Sequence, residues 1–345
     1  MINQKITFIL LSSLTLTACA KTPSEPNSST DASSQKQANQ KVTDPNLQNE
    51  IRELVERTKK NMVNVQGGSF IMGDFGTITK ELEKSAPDSV AVKNPKGNVE
   101  TPPYNSYVGY SSNKDNKPPH KVVLDSFKMT NNKITLRDYL IYLKATNQAQ
   151  PDYLEKYPKE IFHKLPAGAN WYSAQKYCQW LGNQMGQKMD LPTEAQWEYA
   201  ARNRGQYLLY ATNDGTMKNG VNIASYKQLE ANKIKYQYKS FRHLPVLGEV
   251  PPNPLGIYDM VTNNKEWVRD WYSENYYAES PVNNPQGPQQ GTEKVMRSSF
   301  TQGGDNAGGG DGMNIYRQKN PPTAILKERN KTVDVSQNMS FRCIS

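Results

Sequence analysis

"MDLPTEAQWEYAAR" (Met189–Arg202) decides how this chain folds. Thr193, followed three residues later by Gln196, is a capping box. The threonine hydroxyl accepts from the Gln196 backbone N–H, and the glutamine side chain reaches back to the N–H of Thr193. Pro192 stands just before the cap, four residues after which a staple partner falls on Trp197. Ala195, Glu198, Ala200 and Ala201 then favour helix. The stretch predicts a sharp strand-to-helix turn.

Further segments surround it. "NMVNVQGGSFIMGD" (Asn61–Asp74) alternates apolar and polar residues and predicts strand with a Gly-Gly turn. "PPHKVVLDSFKMTNNKITLRDYLIYL" (Pro118–Leu143) predicts a strand, then a helix from Thr135 carrying Leu136, Tyr139, Leu140 and Leu143 on one face. "LPAGANWYSAQKYCQWLGNQMG" (Leu165–Gly186) predicts a helix carrying Ala174, Tyr177, Cys178 and Leu181. "PPNPLGIYDMVTNNKEWVRDWY" (Pro251–Tyr272), "NPQGPQQGTEKVMRSSF" (Asn284–Phe300) and "SFRC" (Ser340–Cys343) complete the set.

The N-terminal region speaks to location. Lys5 and the apolar run Ile6–Ala18 have the form of a signal peptide, too short to span a bilayer. The run ends in "LTAC" (Leu16–Cys19), which resembles a bacterial lipobox and implies a signal peptide over 1–18 and lipidation at Cys19. Ala20 and Lys21 follow without an aspartate, which leans the expectation to the outer membrane. Residues 19–49 are mostly Ser, Asn, Gln, Thr and Pro, and read as a disordered tether. In 50–61, Ile51, Leu54 and Val55 share one face of a short helix. Residues 62–345 then form one loop-rich domain, as 22 Gly, 22 Pro, 20 Tyr and a mean hydropathy of −0.81 suggest. The net charge of +9 falls to about +8 once Lys5 is removed, which suits anionic lipid or an acidic protein partner. Nucleic acid is excluded as a partner by the export signal and the lack of a basic stripe with interleaved aromatics.

In this order and spacing, the segments from Asn61 onward resemble the formylglycine-generating-enzyme family, also called the sulfatase-modifying-factor family. The resemblance implies an α+β, C-type-lectin-like fold with low regular secondary structure. It also implies chemistry that this chain does not match. The family's oxidases hold copper with two cysteines after the block matching "RSSF" (Arg297–Phe300), and soft thiolates are what copper(I) takes. The corresponding segment Thr301–Pro322 has no cysteine, so copper is not expected. Besides Cys19, the chain has only Cys178 and Cys343, which match positions that form a structural disulfide in some members. The alternative is two free buried thiols. A second branch binds iron through histidines on an added helical domain. His120, His163 and His243 are the only histidines here, and none forms a spaced helical pair.

The resemblance further implies a structural calcium held by Asp259, Glu266 and the carbonyls of Thr262 and Asn264, oxygen donors of the kind calcium takes. Thr262 replaces a glycine of the family pattern, and Lys265 adds a cation beside the loop. A satisfied polar turn is the competing reading. A weaker calcium site is implied at Asn222 and the Ile223 carbonyl. "GGDNAGGGDG" (Gly303–Gly312) lacks the Gly-Lys-Ser/Thr of a phosphate loop and reads as a flexible loop. Within or beside it, Asp305, Asp311 and Asn314 are candidates for ligand contact. Residues 74–117 read as an insertion whose Tyr104, Tyr107 and Tyr110 either face a partner or cap the core.

These readings yield a lipid-anchored envelope protein of this fold, with no catalytic residue assigned. It would act as a binding or assembly component, for example of a secretion or surface machinery, with a protein partner and a membrane contact through its lipid. Two alternatives are an oxidative maturation enzyme of the siderophore-modifying branch and a C-type-lectin-like glycan binder.

Overall fold

A computed structural model describes residues 43–86, 110–237, 239, 246–298, 312–328 and 331–345. Cys19, Tyr104, Tyr107, His243, Asp305 and Asp311 lie outside the described residues.

Helix α1 spans Pro45–Asn61, so residues 45–49 belong to it rather than to the expected tether. Asp44 caps it by accepting the Asn46 N–H, and Pro45 occupies the first turn, where a missing N–H costs nothing. Its buried face is Leu47, Ile51, Leu54 and Val55. Strands β1 (Met62–Val65) and β2 (Gly68–Met72) follow, then a one-turn helix α2 (Lys80–Lys84). Strand β3 (His120–Leu124) pairs antiparallel with β2, and β4 (Phe127–Thr130) pairs antiparallel with β1. Thr135 caps helix α3 (Leu136–Ala145) through the Asp138 N–H.

Asn170 opens helix α4 (Trp171–Met185), and Gly186 closes it in the left-handed region at φ 68°. Helix α5 (Glu194–Ala201) carries both bonds of the expected capping box. Gln196 N–H donates to Thr193 Oγ1 at 3.2 Å, and Thr193 N–H donates to Gln196 Oε1 at 2.8 Å. Helix α6 (Tyr226–Tyr236) has a second capping box, Ser225 with Gln228, which the sequence reading passed over.

The main sheet has the order β10 (Met339–Ser340), β5 (Lys265–Trp271), β6 (Lys294–Arg297) and β7 (Gln318–Asn320). Strand β5 is central, with helix α7 (Tyr276–Glu279) after it. β6 and β7 run antiparallel, while β10 pairs parallel with β5. A hairpin of β8 (Ile325–Glu328) and β9 (Lys331–Asp334) precedes β10.

Two cores flank the sheet. One packs Tyr139, Tyr142, Tyr177, Trp180 and Phe341 around α3 and α4. The other packs Phe70, Trp197, Tyr199, Val268 and Val295 around α5. The indole N–H groups lock α4 to β5: Trp171 donates to the Val268 carbonyl at 2.8 Å, and Trp267 donates to the Ala169 carbonyl at 2.9 Å. Cys178 of α4 is disulfide-bonded to Cys343, with Cα atoms 5.5 Å apart and both side chains fully buried. This settles the choice against free thiols.

Both ends of the expected insertion belong to the core. Asp74 is fully buried and accepts from the Gly76, Tyr110 and Ser111 N–H groups. Tyr110 lies over Phe75 with ring centroids 5.2 Å apart, so at this residue the tyrosine cluster caps the core. Among the described residues no helix is long and apolar enough to cross a membrane.

Candidate functional site

The polar loop leading into β5 contains the positions named for calcium. Three of its residues have positive φ: Asp259 (58°), Asn263 (72°) and Asn264 (78°). Asp and Asn tolerate this region better than other side chains do. Thr262 is not among them, so the residue replacing a glycine carries no strain of that kind.

The loop does bring Glu266 and the Asn264 carbonyl together, but around a side chain that the sequence reading left unassigned. Lys133, from the β4–α3 connection, is fully buried and places Nζ 2.9 Å from Glu266 Oε1 and 2.8 Å from the Asn264 carbonyl. Arg342, just after β10, grips the same carboxylate with two donors. Its Nε is 2.6 Å from Oε2 and its Nη2 is 2.9 Å from Oε1. Trp197 Nε1 donates to Oε2 at 3.1 Å. Burial pushes the Glu266 carboxyl up, but Arg342 and Lys133 outweigh it and hold it at about 2. Burial lowers Lys133 to about 8 against the pull of Glu266. Asp259 Oδ2 accepts the Gly248 N–H at 2.8 Å, and burial raises this carboxyl. The Thr262 carbonyl accepts the Ser298 hydroxyl at 3.5 Å.

At the second implied site both named oxygens accept from backbone N–H groups. Asn222 Oδ1 accepts the Lys218 N–H at 2.7 Å, and its amide nitrogen donates to Asn213, Asp214 and the Thr216 carbonyl. The Ile223 carbonyl accepts the Gly220 N–H at 2.7 Å.

A larger buried ionic network lies beneath α5. Glu194 accepts from Arg297 Nη1 at 2.8 Å, from Arg317 Nε at 2.8 Å, and from the Tyr277 hydroxyl at 3.2 Å. Glu198 accepts from Arg202 at 2.8 Å, Arg297 Nη2 at 2.9 Å and the Gly73 N–H at 2.9 Å. Burial pushes Glu194 up, and Arg317 and Arg297 bring it below its ordinary value. For Asp270 the pull of Arg269 and Arg317 is too weak to compensate. Burial and the Glu194 charge push it up to about 7, although it accepts the Glu194 N–H at 2.8 Å.

Asn314, named as a candidate ligand contact, is buried and donates to the Leu208 carbonyl at 3.0 Å. The imidazole of His120 packs edge-on to Tyr277, and burial lowers its pKa. Several buried polar atoms near β5 and β6 lack a partner among the described residues, including Asn264 Oδ1, Arg297 Nε and Asn314 Oδ1. Both amide atoms of Asn263 are buried without a hydrogen-bond partner.

The chain belongs to the sulfatase-modifying factor enzyme 1-like domain family, whose profile matches residues 48–345. The formylglycine-generating enzyme of Streptomyces coelicolor is 32% identical over 187 residues, which cover 50% of each chain. The bovine formylglycine-generating enzyme is 29% identical over 178 residues, 50% of this chain and 42% of the relative. The serine/threonine-protein kinase pkn1 of Chlamydia pneumoniae is 30% identical over 208 residues, 53% of this chain and 29% of the kinase. The chain thus spans half or less of the length of these relatives. Among solved structures, PvdO from Pseudomonas aeruginosa aligns with a TM-score of 0.52 and 19% identity, covering 82% of this chain and 93% of that one. Treponema denticola variable protein 1 aligns at 0.51 and 16%, covering 82% and 94%. At these identities the likeness is one of fold.

Proposed function

We propose that this protein is a lipid-anchored envelope component that uses the family fold as a binding or assembly scaffold and has no copper–thiolate oxidase activity. The observation carrying this reading is the fate of the cysteines. Two of the three are consumed in the Cys178–Cys343 disulfide, and the third, Cys19, belongs to the lipobox. Neither cysteine of the disulfide is a thiolate that copper(I) could take. The disulfide itself suits an oxidising compartment outside the cytosol. The buried carboxylates of Glu194, Glu198 and Glu266 are paired with arginine or lysine, which supports a framework role for them.

The test is incubation of the purified protein with copper and a cysteine-containing peptide in air, followed by peptide mass spectrometry. Unmodified peptide is expected. Conversion of the cysteine to formylglycine, dependent on copper, overturns the reading.

A further inference from the structure

We propose that the ammonium of Lys133 takes the place of the calcium ion that the family resemblance implies before β5, so that the loop carries its own covalently tethered cation. Calcium takes six to eight oxygen ligands, and this site does not leave them open. Glu266 receives four N–H donors: two from Arg342, one from Lys133 and one from Trp197. A carboxylate has about four lone-pair directions, so its acceptor capacity is filled. The Asn264 carbonyl already receives Lys133, and Asp259 holds the Gly248 N–H.

Charge leads to the same conclusion. Lys133 and Arg342 balance Asp259 and Glu266, all of them buried. A divalent ion would add two uncompensated charges in a buried site, a large cost. An ammonium has three donors and no acceptor, which suits a pocket walled by a carbonyl and a carboxylate.

Lys133 is also fixed at its base. The adjacent Ile134 donates its N–H to the Phe341 carbonyl at 2.9 Å and accepts the Ala167 N–H at 2.8 Å. The cation therefore ties the loop before β5 to the β4–α3 connection, whose backbone is itself bonded to Phe341 and Ala167, and no chelator can remove it.

Thermal unfolding of the whole protein in EDTA and in calcium tests this. The native protein is expected to unfold at the same temperature in both. Lys133→Ser vacates the cation position while leaving the oxygens. That variant is expected to unfold at lower temperature in EDTA, and calcium at ~100 times its dissociation constant should raise its Tm by roughly 4 °C. Terbium luminescence, sensitised by Trp197, should appear in Lys133→Ser and not in the native protein. A native Tm raised by calcium overturns the proposal, as does a folded Lys133→Ser protein indifferent to calcium. Should Lys133→Ser fail to fold, Lys133→Ala, which also vacates the cation position, is read in the same way, and a folded Lys133→Ala protein indifferent to calcium overturns the proposal.

Discussion

Replacing Asp270 with asparagine isolates a carboxylate beneath α5 whose surroundings disfavour its charge. Asp270 is almost fully buried, and burial with the neighbouring Glu194 charge moves its pKa from 3.8 to about 7. Because the folded value is raised, its stabilising contribution is fully present below about pH 3.8 and is lost as pH rises through about 7. At 1.36 kcal/mol per unit, the upper limit of that loss is about 4 kcal/mol. Asparagine keeps the shape and can still accept the Glu194 N–H through its carbonyl oxygen, yet it has nothing to ionise. Urea unfolding of both proteins across pH 4 to pH 8 reads the difference directly. Near pH 4 the two should be of similar stability. By pH 8 the asparagine variant should be more stable by up to about 4 kcal/mol, or roughly 6 °C in Tm for a domain of this size. Parallel pH profiles would refute the reasoning, because they would mean that Asp270 titrates alike in the folded and unfolded states.

Glu266→Gln should act with the opposite sign. The carboxylate is held at about 2, so its contribution exists above about pH 4.5 and is lost as pH falls through about 2. At neutral pH the variant leaves Lys133 and Arg342 without their shared partner, at a cost of about 3–5 kcal/mol measured by urea unfolding. Removing the disulfide with Cys178→Ser and Cys343→Ser opens a loop of 165 residues. The chain-entropy relation puts the loss at up to about 5 kcal/mol, which a reduced-versus-oxidised unfolding comparison checks. Cys19→Ser should move the protein from the membrane fraction to the soluble fraction on cell fractionation. Retention at the membrane would contradict lipid anchoring at that residue.

The local signals were the legible ones. Thr193 and Gln196 specify their cap within four residues, and the same logic at Ser225 and Gln228 marks α6. The start of α1 was equally readable in Asp44 and Pro45 but hidden by the polar composition around them. Lys133 was not legible. Its partners lie 131 and 133 residues away, and "NNKITL" (Asn131–Leu136) reads as a solvated turn until β5 folds against it. Glu194 and Glu198 look like surface residues of an ordinary helix, yet α5 is buried nearly all round by Ala195, Trp197, Tyr199 and Ala201. Only Arg202, one turn after Glu198, hinted at a partner within the helix. The disulfide pairing came from family resemblance, because spacing alone cannot select a partner across 165 residues.

The central claim is that the family fold persists here without its oxidase metal chemistry. Metal analysis by mass spectrometry on the purified protein, produced in an oxidising compartment and equilibrated with copper, iron and calcium before desalting, tests that most directly. The account predicts no copper, iron or calcium retained near one ion per chain. Stoichiometric copper or iron would contradict it and place this protein among the metal-dependent members of its family.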